Sequence, residues 1–115
     1  MESVKIRGLE LFYKETKMIY LIAYDLNQPG QNHEVVDNLI LSTWSNGAAI
    51  RILQSTWLVQ SNLSAQQVCD KVRSVMDEND FIMVSKVDTG AHANGYSSYA
   101  GWLPTVACNW WKAHQ

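Results

Sequence analysis

Asp25 is the residue around which any chemistry in this chain is organised. It closes Met18-Ile-Tyr-Leu-Ile-Ala-Tyr-Asp-Leu26, a run otherwise apolar and rich in β-branched and aromatic residues. Such a run reads as a central strand covered on both faces. A carboxylate at its end, opening into the turn-forming Asn27-Gln28-Pro29-Gly30, stands where a protein of mixed helix and sheet can place reactive groups. Alternation puts Asp25 on one face with Ile19, Leu21 and Ala23, and Met18, Tyr20, Ile22 and Tyr24 on the other. Asn27, Gln28 and Asn32 either line the mouth beside Asp25 or are simply solvated loop residues. Arg51, set between apolar neighbours, faces either a phosphate or a partner acid. Ser55 and Thr56 either touch a phosphate or form a hairpin turn. Asp25 has a second reading of its own, in which it caps the following turn by accepting from amides near Asn27.

Other reactive residue types carry less. His33 and His92 have no partner pattern that would make either a general base. Asp77, Glu78 and Asp80 form an acidic cluster that reads as a solvated turn or as a weak cation site. Cys69 and Cys108 are far apart, without CxxC spacing, and read as reduced thiols. Trp102, Trp110 and Trp111 lack interleaved Lys or Arg, so packing against the domain or a partner is expected ahead of stacking on bases.

Composition sets the frame for these residues. The chain has 115 residues, 47% of them hydrophobic and 17% charged, which reads as one globular domain with a modest core. Five tryptophans are many for this length and suggest a surface that takes a partner. A net charge of −2 gives no general attraction to nucleic acid, so such binding would need a local patch. No stretch is long enough to span a membrane, and the first residues lack a signal-peptide pattern, so a cytoplasmic protein is expected.

The elements that must position Asp25 follow in order. Residues 1–17 mix charges with Val4, Ile6, Leu9, Leu11 and Tyr13 and read as an extra strand or a docked arm. Asn32 can cap a helix whose stripe is Val35, Val36, Leu39, Ile40, Thr43 and Trp44, with Gly47 suited to its left-handed end. Ala49 to Leu53 and Thr56 to Val59 are strand-like, with only Gln54-Ser55 between them. Asn62 to Met76 reads as a helix with the stripe Val68, Val72, Val75 and Met76; Ser64 and Gln67 make its capping box, and Leu63 before the cap can staple onto Val68. Phe81 to Val87 is a further strand. Residues 88–98 read as a loop, Tyr99 to Leu103 as a short edge strand, and Pro104 onward as a helix carrying Val106, Ala107, Trp110 and Trp111.

From Met18 to Val87 the order is strand, helix, strand, strand, helix, strand. That predicts an α+β, ferredoxin-like (βαββαβ) antiparallel sheet in strand order four-one-three-two, both helices on one face, with a short C-terminal strand and helix added. The expected division is a core at 18–87, an N-terminal arm at 1–17 and a C-terminal extension at 88–115. The strands are apolar on both sides, so the face away from the helices needs a cover: a second subunit or the tryptophan-rich tail.

Tyr24-Asp25 at the end of the first strand, Gln54-Ser-Thr-Trp-Leu58, and Leu63-Ser64 opening the second helix resemble the small CRISPR-associated Cas-two proteins. Tyr-Asp-Leu-Asn-Gln-Pro-Gly and Tyr-Ala-Gly-Trp-Leu-Pro are similar to a branch called SinR-like. The resemblance runs from Met18 to Val87 and rests on the order and spacing of short motifs. It implies a homodimer with sheets face to face, in which Asp25 of each subunit flanks a magnesium or manganese ion. The family includes metal-dependent endonucleases acting on RNA or DNA and structural members of antiviral defence. This chain departs from the pattern: Thr56 stands where a serine is usual, Asn-Gln-Pro-Gly-Gln-Asn replaces a basic run, and the chain is acidic. Magnesium prefers oxygen ligands and keeps several waters, so a pair of carboxylates across a two-fold axis suffices to hold it. Bound there, it would polarise a phosphate and acidify a water.

Two further readings stay open on the same fold. One is a non-catalytic dimeric adaptor for a protein partner. The other is a small-ligand module, for example for nucleotides, using the cleft near Asn27 to Asn32.

Overall fold

Met18–Asp25 forms β1, and its neighbours explain why it is apolar on both sides: it is an inner strand of a four-stranded antiparallel sheet. The computed structural model describes residues 17–27, 33–89 and 99–115. The stretch read as an N-terminal arm or extra strand, Lys17 excepted, lies outside the described residues, as do Gln28, Asn32, His92 and most of the expected loop. The other strands are β2 (Ala49–Leu53), β3 (Thr56–Ser61) and β4 (Phe81–Val87), in the order β2-β3-β1-β4. This is the strand order expected from the sequence. β2 and β3 form the tight hairpin over Gln54-Ser55, with a register irregularity between Arg51 and Leu53.

Strand alternation sorts the sheet into two faces. Tyr20, Ile22 and Tyr24 of β1 and Trp57 and Val59 of β3 face α1 (His33–Thr43) and α2 (Ala65–Arg73). Val36 and Ile40 of α1 and Val68 and Val72 of α2 complete that core, all nearly solvent-free. Each such aliphatic side chain contributes roughly 1.5–3 kcal/mol by leaving water. Both helices therefore share one face, as expected. Val35, read as part of the α1 stripe, is half exposed, because the buried stripe is the narrower Val36–Ile40–Trp44 series. α2 starts as its sequence directs: Ser64 Oγ accepts from the Gln67 amide at 3.1 Å, and Gln67 Oε1 accepts from the Ser64 amide at 2.9 Å. After α1 the chain reverses through Asn46 and Gly47, with φ of 59° and 81°. Glycine takes that left-handed geometry without strain.

The opposite face carries Ile19, Leu21, Ala23 and Asp25. Part of it is covered by α3 (Thr105–His114), which seats Trp110 against Ile19 and Leu58. Trp110 Nε1 donates to Gly47 O at 2.6 Å, its ring stacks on His114 at 4.0 Å, and Gln60 Nε2 donates to His114 O at 3.0 Å. The tryptophan-rich tail is thus one cover for this face. The edge strand expected at Tyr99 to Leu103 is not formed; residues 99–104 carry no regular structure. The reason is where this segment lies. Tyr99 packs edge-on against Trp111 at 4.6 Å and, with Leu103, stands over Leu21 and Leu58, so the segment crosses the face of the sheet instead of following an edge.

Candidate functional site at the end of the central strand

β1 delivers Asp25 to the uncovered half of the face opposite α1 and α2. It pairs in register with Phe81 of β4, as Ala23 pairs with Met83 and with Thr56. These residues share that face, and Ala23, Asp25, Phe81 and Met83 line a shallow hollow there. Phe81 and Met83 are 66% and 67% exposed, although both are large and apolar. Asp25 is exposed as well, and its carboxylate has no hydrogen bond or ion pair among the described residues. An unpaired acid is therefore rimmed by exposed apolar side chains.

The turn after β1 is held by a different acid. Asp80 is only 4% exposed; its Oδ1 accepts from the Asn27 amide at 3.0 Å and its Oδ2 from the Asp77 amide at 2.8 Å. Asn27 Nδ2 adds a bond to Asn79 O. The capping role considered for Asp25 is thus filled by Asp80, which links the end of β1 to the start of β4. Within the acidic cluster, Asp80 is a turn-holding carboxylate, with its oxygens already engaged by amides. Asn27 reaches the mouth beside Asp25, but through this turn and with its side chain committed.

Ser55 and Thr56 come to the same end of the sheet. Ser55 O accepts from the Tyr24 amide at 3.1 Å, and Thr56 begins β3 on the Asp25 face. Arg51 does not join them. It pairs in register with Trp57, on the face that carries α1 and α2, and its guanidinium bonds Asp37 Oδ2. Its guanidinium carbon also stands 5.1 Å from the centre of the Trp57 ring. Of the two readings of Arg51, its partner in the structure is an acid.

Around Arg51 lies a polar cluster that sequence reasoning missed. The Tyr24 hydroxyl donates to Asp37 Oδ1 at 2.8 Å, and His33 Nδ1 lies 3.4 Å from that hydroxyl. With the phenol donating to Asp37, its oxygen is left to accept, which suits a proton on His33 Nδ1. Burial, reinforced by Asp37, pushes the Tyr24 phenol up to about 12, against the opposing pull of Arg51. Trp57 Nε1 is buried without a hydrogen-bond partner among the described residues. Tyr24 therefore stays protonated at neutral pH, and the cluster works as a polar clamp between β1, α1 and β2. The adjacency of Tyr24 and Asp25 in sequence hid it, since the two side chains leave on opposite faces.

No protein-family model, curated protein or solved structure matches this chain. No described helix is long and apolar enough to cross a membrane.

Proposed function

We propose that the chain is a Cas-two-like, ferredoxin-like homodimer that processes nucleic acid with the help of a divalent cation, as a metal-dependent endonuclease or a defence-associated factor. The observation that carries this reading is Asp25 itself: exposed, unpaired among the described residues, and ringed by the exposed apolar pair Phe81 and Met83. When a second copy covers the apolar rim and brings its own Asp25 to the same axis, the two carboxylates repel, and a cation between them would offset that repulsion. The donor set fits magnesium or manganese only in that arrangement, because Asp80 is already engaged by amides and Asp25 is the uncommitted acid lining the hollow among the described residues. Asp25 from each protomer would hold the ion, which when bound would supply Lewis-acid polarisation of a phosphate. Ser55 and Thr56 stand at the same strand ends and would orient the substrate; Asn27 would join them only by giving up its bond to Asn79 O, and Gln28 and Asn32 keep that role on the strength of the sequence.

The test is a paired one. Light scattering should give a dimer at micromolar concentration, and cleavage of single- and double-stranded RNA and DNA should require magnesium or manganese. A stable monomer, or metal-dependent cleavage that survives Asp25→Asn, would remove Asp25 from the mechanism.

A second reading has its own support. Arg51, the cation the sequence offered for a phosphate, is turned to the other face and paired with Asp37. That favours a non-catalytic dimer acting as an adaptor for a protein partner. It predicts the same oligomer, with no cleavage under any metal.

A further inference from the structure

Beneath α3 and the segment leading to it lies a cavity of about 440 Å³. Its floor is a row crossing all four strands: Ile52 on β2, Leu58 on β3, Leu21 on β1 and Val87 on β4. Its roof includes Cys108, Trp111 and Lys112 of α3, which stand three and four residues apart and so form one stripe of the helix. The neighbouring stripe, Ala107 and Trp110, is the one that is buried and seats the helix. The helix is thus held by one side while the other stands over a hole.

Protein interiors leave few voids larger than a water molecule, whereas sites for small ligands run from about 300 to 1,000 Å³. Two of the polar side chains in the wall already have partners. The Tyr99 hydroxyl donates to Gln115 Oε1 at 3.2 Å, and the Cys108 thiol donates to Leu103 O at 3.5 Å. Water would find few partners there. Lys112 is the one charged residue among the described residues of this wall, and its ammonium has no ion pair among them. A second hollow of about 420 Å³ shares Leu21, Val87 and Tyr99 with the first and continues along β4 to Ser85 and Met83, with Lys86 and Asp88 at its edge. The two together make a trough, which suits a chain-shaped body over a compact ring.

We propose that this trough binds a medium-chain aliphatic carboxylate, with the alkyl body lying over Leu21 and Leu58 and the carboxylate meeting Lys112. The site goes beyond the metal reading and does not use Asp25.

The experiment is isothermal titration of the full chain with decanoate below its micellar concentration, beside decanol and decyltrimethylammonium. Decanoate should bind one to one and about tenfold more tightly than decanol, as a charge-assisted contact at the rim provides. The cationic probe should not bind. Lys112→Glu should lose that tenfold preference and keep decanol binding, since Lys112 is exposed and its replacement leaves the fold intact. Ile52→Trp, which narrows the trough from an edge strand, should weaken decanoate and decanol alike, with circular dichroism confirming the fold. Equal affinity for all three probes, a preference unchanged in Lys112→Glu, or no binding of decanoate would each overturn the proposal.

Discussion

The Tyr24 hydroxyl donates to Asp37 Oδ1 while Arg51 holds Asp37 Oδ2, so one carboxylate ties the central strand, α1 and the edge strand β2 together. Tyr24→Phe removes one arm and leaves the other. It should cost about 1–2 kcal/mol, read from denaturant unfolding at neutral pH. The pH dependence has a definite sign. The folded phenol sits at about 12 against an ordinary 10.0, so folding favours the protonated form. Its contribution is therefore complete below pH 10.0 and is lost as pH rises through about 12. Unfolding curves across that window should show a slope in the wild type that Tyr24→Phe lacks. Equal slopes would mean that Tyr24 titrates normally.

Asp80 should matter more than its place in an acidic turn suggests. Asp80→Ala leaves the amides of Asn27 and Asp77 without their acceptor in a buried corner. The expected loss is roughly 2–4 kcal/mol, since hydrogen bonds to a charged group are the stronger kind. Asp80→Asn should recover part of it. Asp77→Ala and Glu78→Ala serve as controls and should each stay within about 0.5 kcal/mol, as exposed substitutions usually do.

Asp25→Asn should leave thermal stability equal to or above that of the wild type, because it removes an unpaired charge and keeps the side-chain shape. In the same protein, any magnesium- or manganese-dependent cleavage should disappear. A destabilised Asp25→Asn with no wild-type cleavage to lose would point to a structural role for Asp25.

Trp110→Ala should release α3 selectively. Replacing a buried tryptophan costs about 3–5 kcal/mol. Here it also deletes the bond to Gly47 O and the stack on His114. A helix of 10 residues is marginal once undocked. Hydrogen exchange should show lost protection across α3, with β1 and α2 still protected. Uniform loss across all elements would mean that α3 is integral to a single cooperative core.

The local elements were legible because their signals are local. The apolar run of β1, the two-residue hairpin loop and the Ser64–Gln67 capping box each lie within one stretch of chain. The shared face of α1 and α2 followed from their stripes. What was hidden depends on partners distant in sequence. Asp80 reaches the Asn27 amide across 53 residues, and Tyr24 meets Asp37 only after α1 has folded back on the sheet. Arg51 could have been assigned to its face by counting alternate residues from Trp57 across the hairpin. Tyr99 to Leu103 has the composition of a strand, but packing on Trp111 keeps it from pairing.

The placement of β1 between β3 and β4 bears on how quickly the molecule assembles. Met18 pairs with Ser61 and Ile19 with Val87, so no neighbour of this strand lies close to it in sequence. The β2–β3 hairpin and the capped α2 can form on their own within microseconds. The strand between β3 and β4 must wait for long loops to close, and loop closure entropy opposes that step before any contact rewards it. Refolding should accordingly be slow for a chain of this size, and most sensitive to substitutions that weaken the β2–β3 hairpin. Until β1 docks, its doubly apolar surface stays open to other unfolded copies, so refolding yield should fall steeply as protein concentration rises.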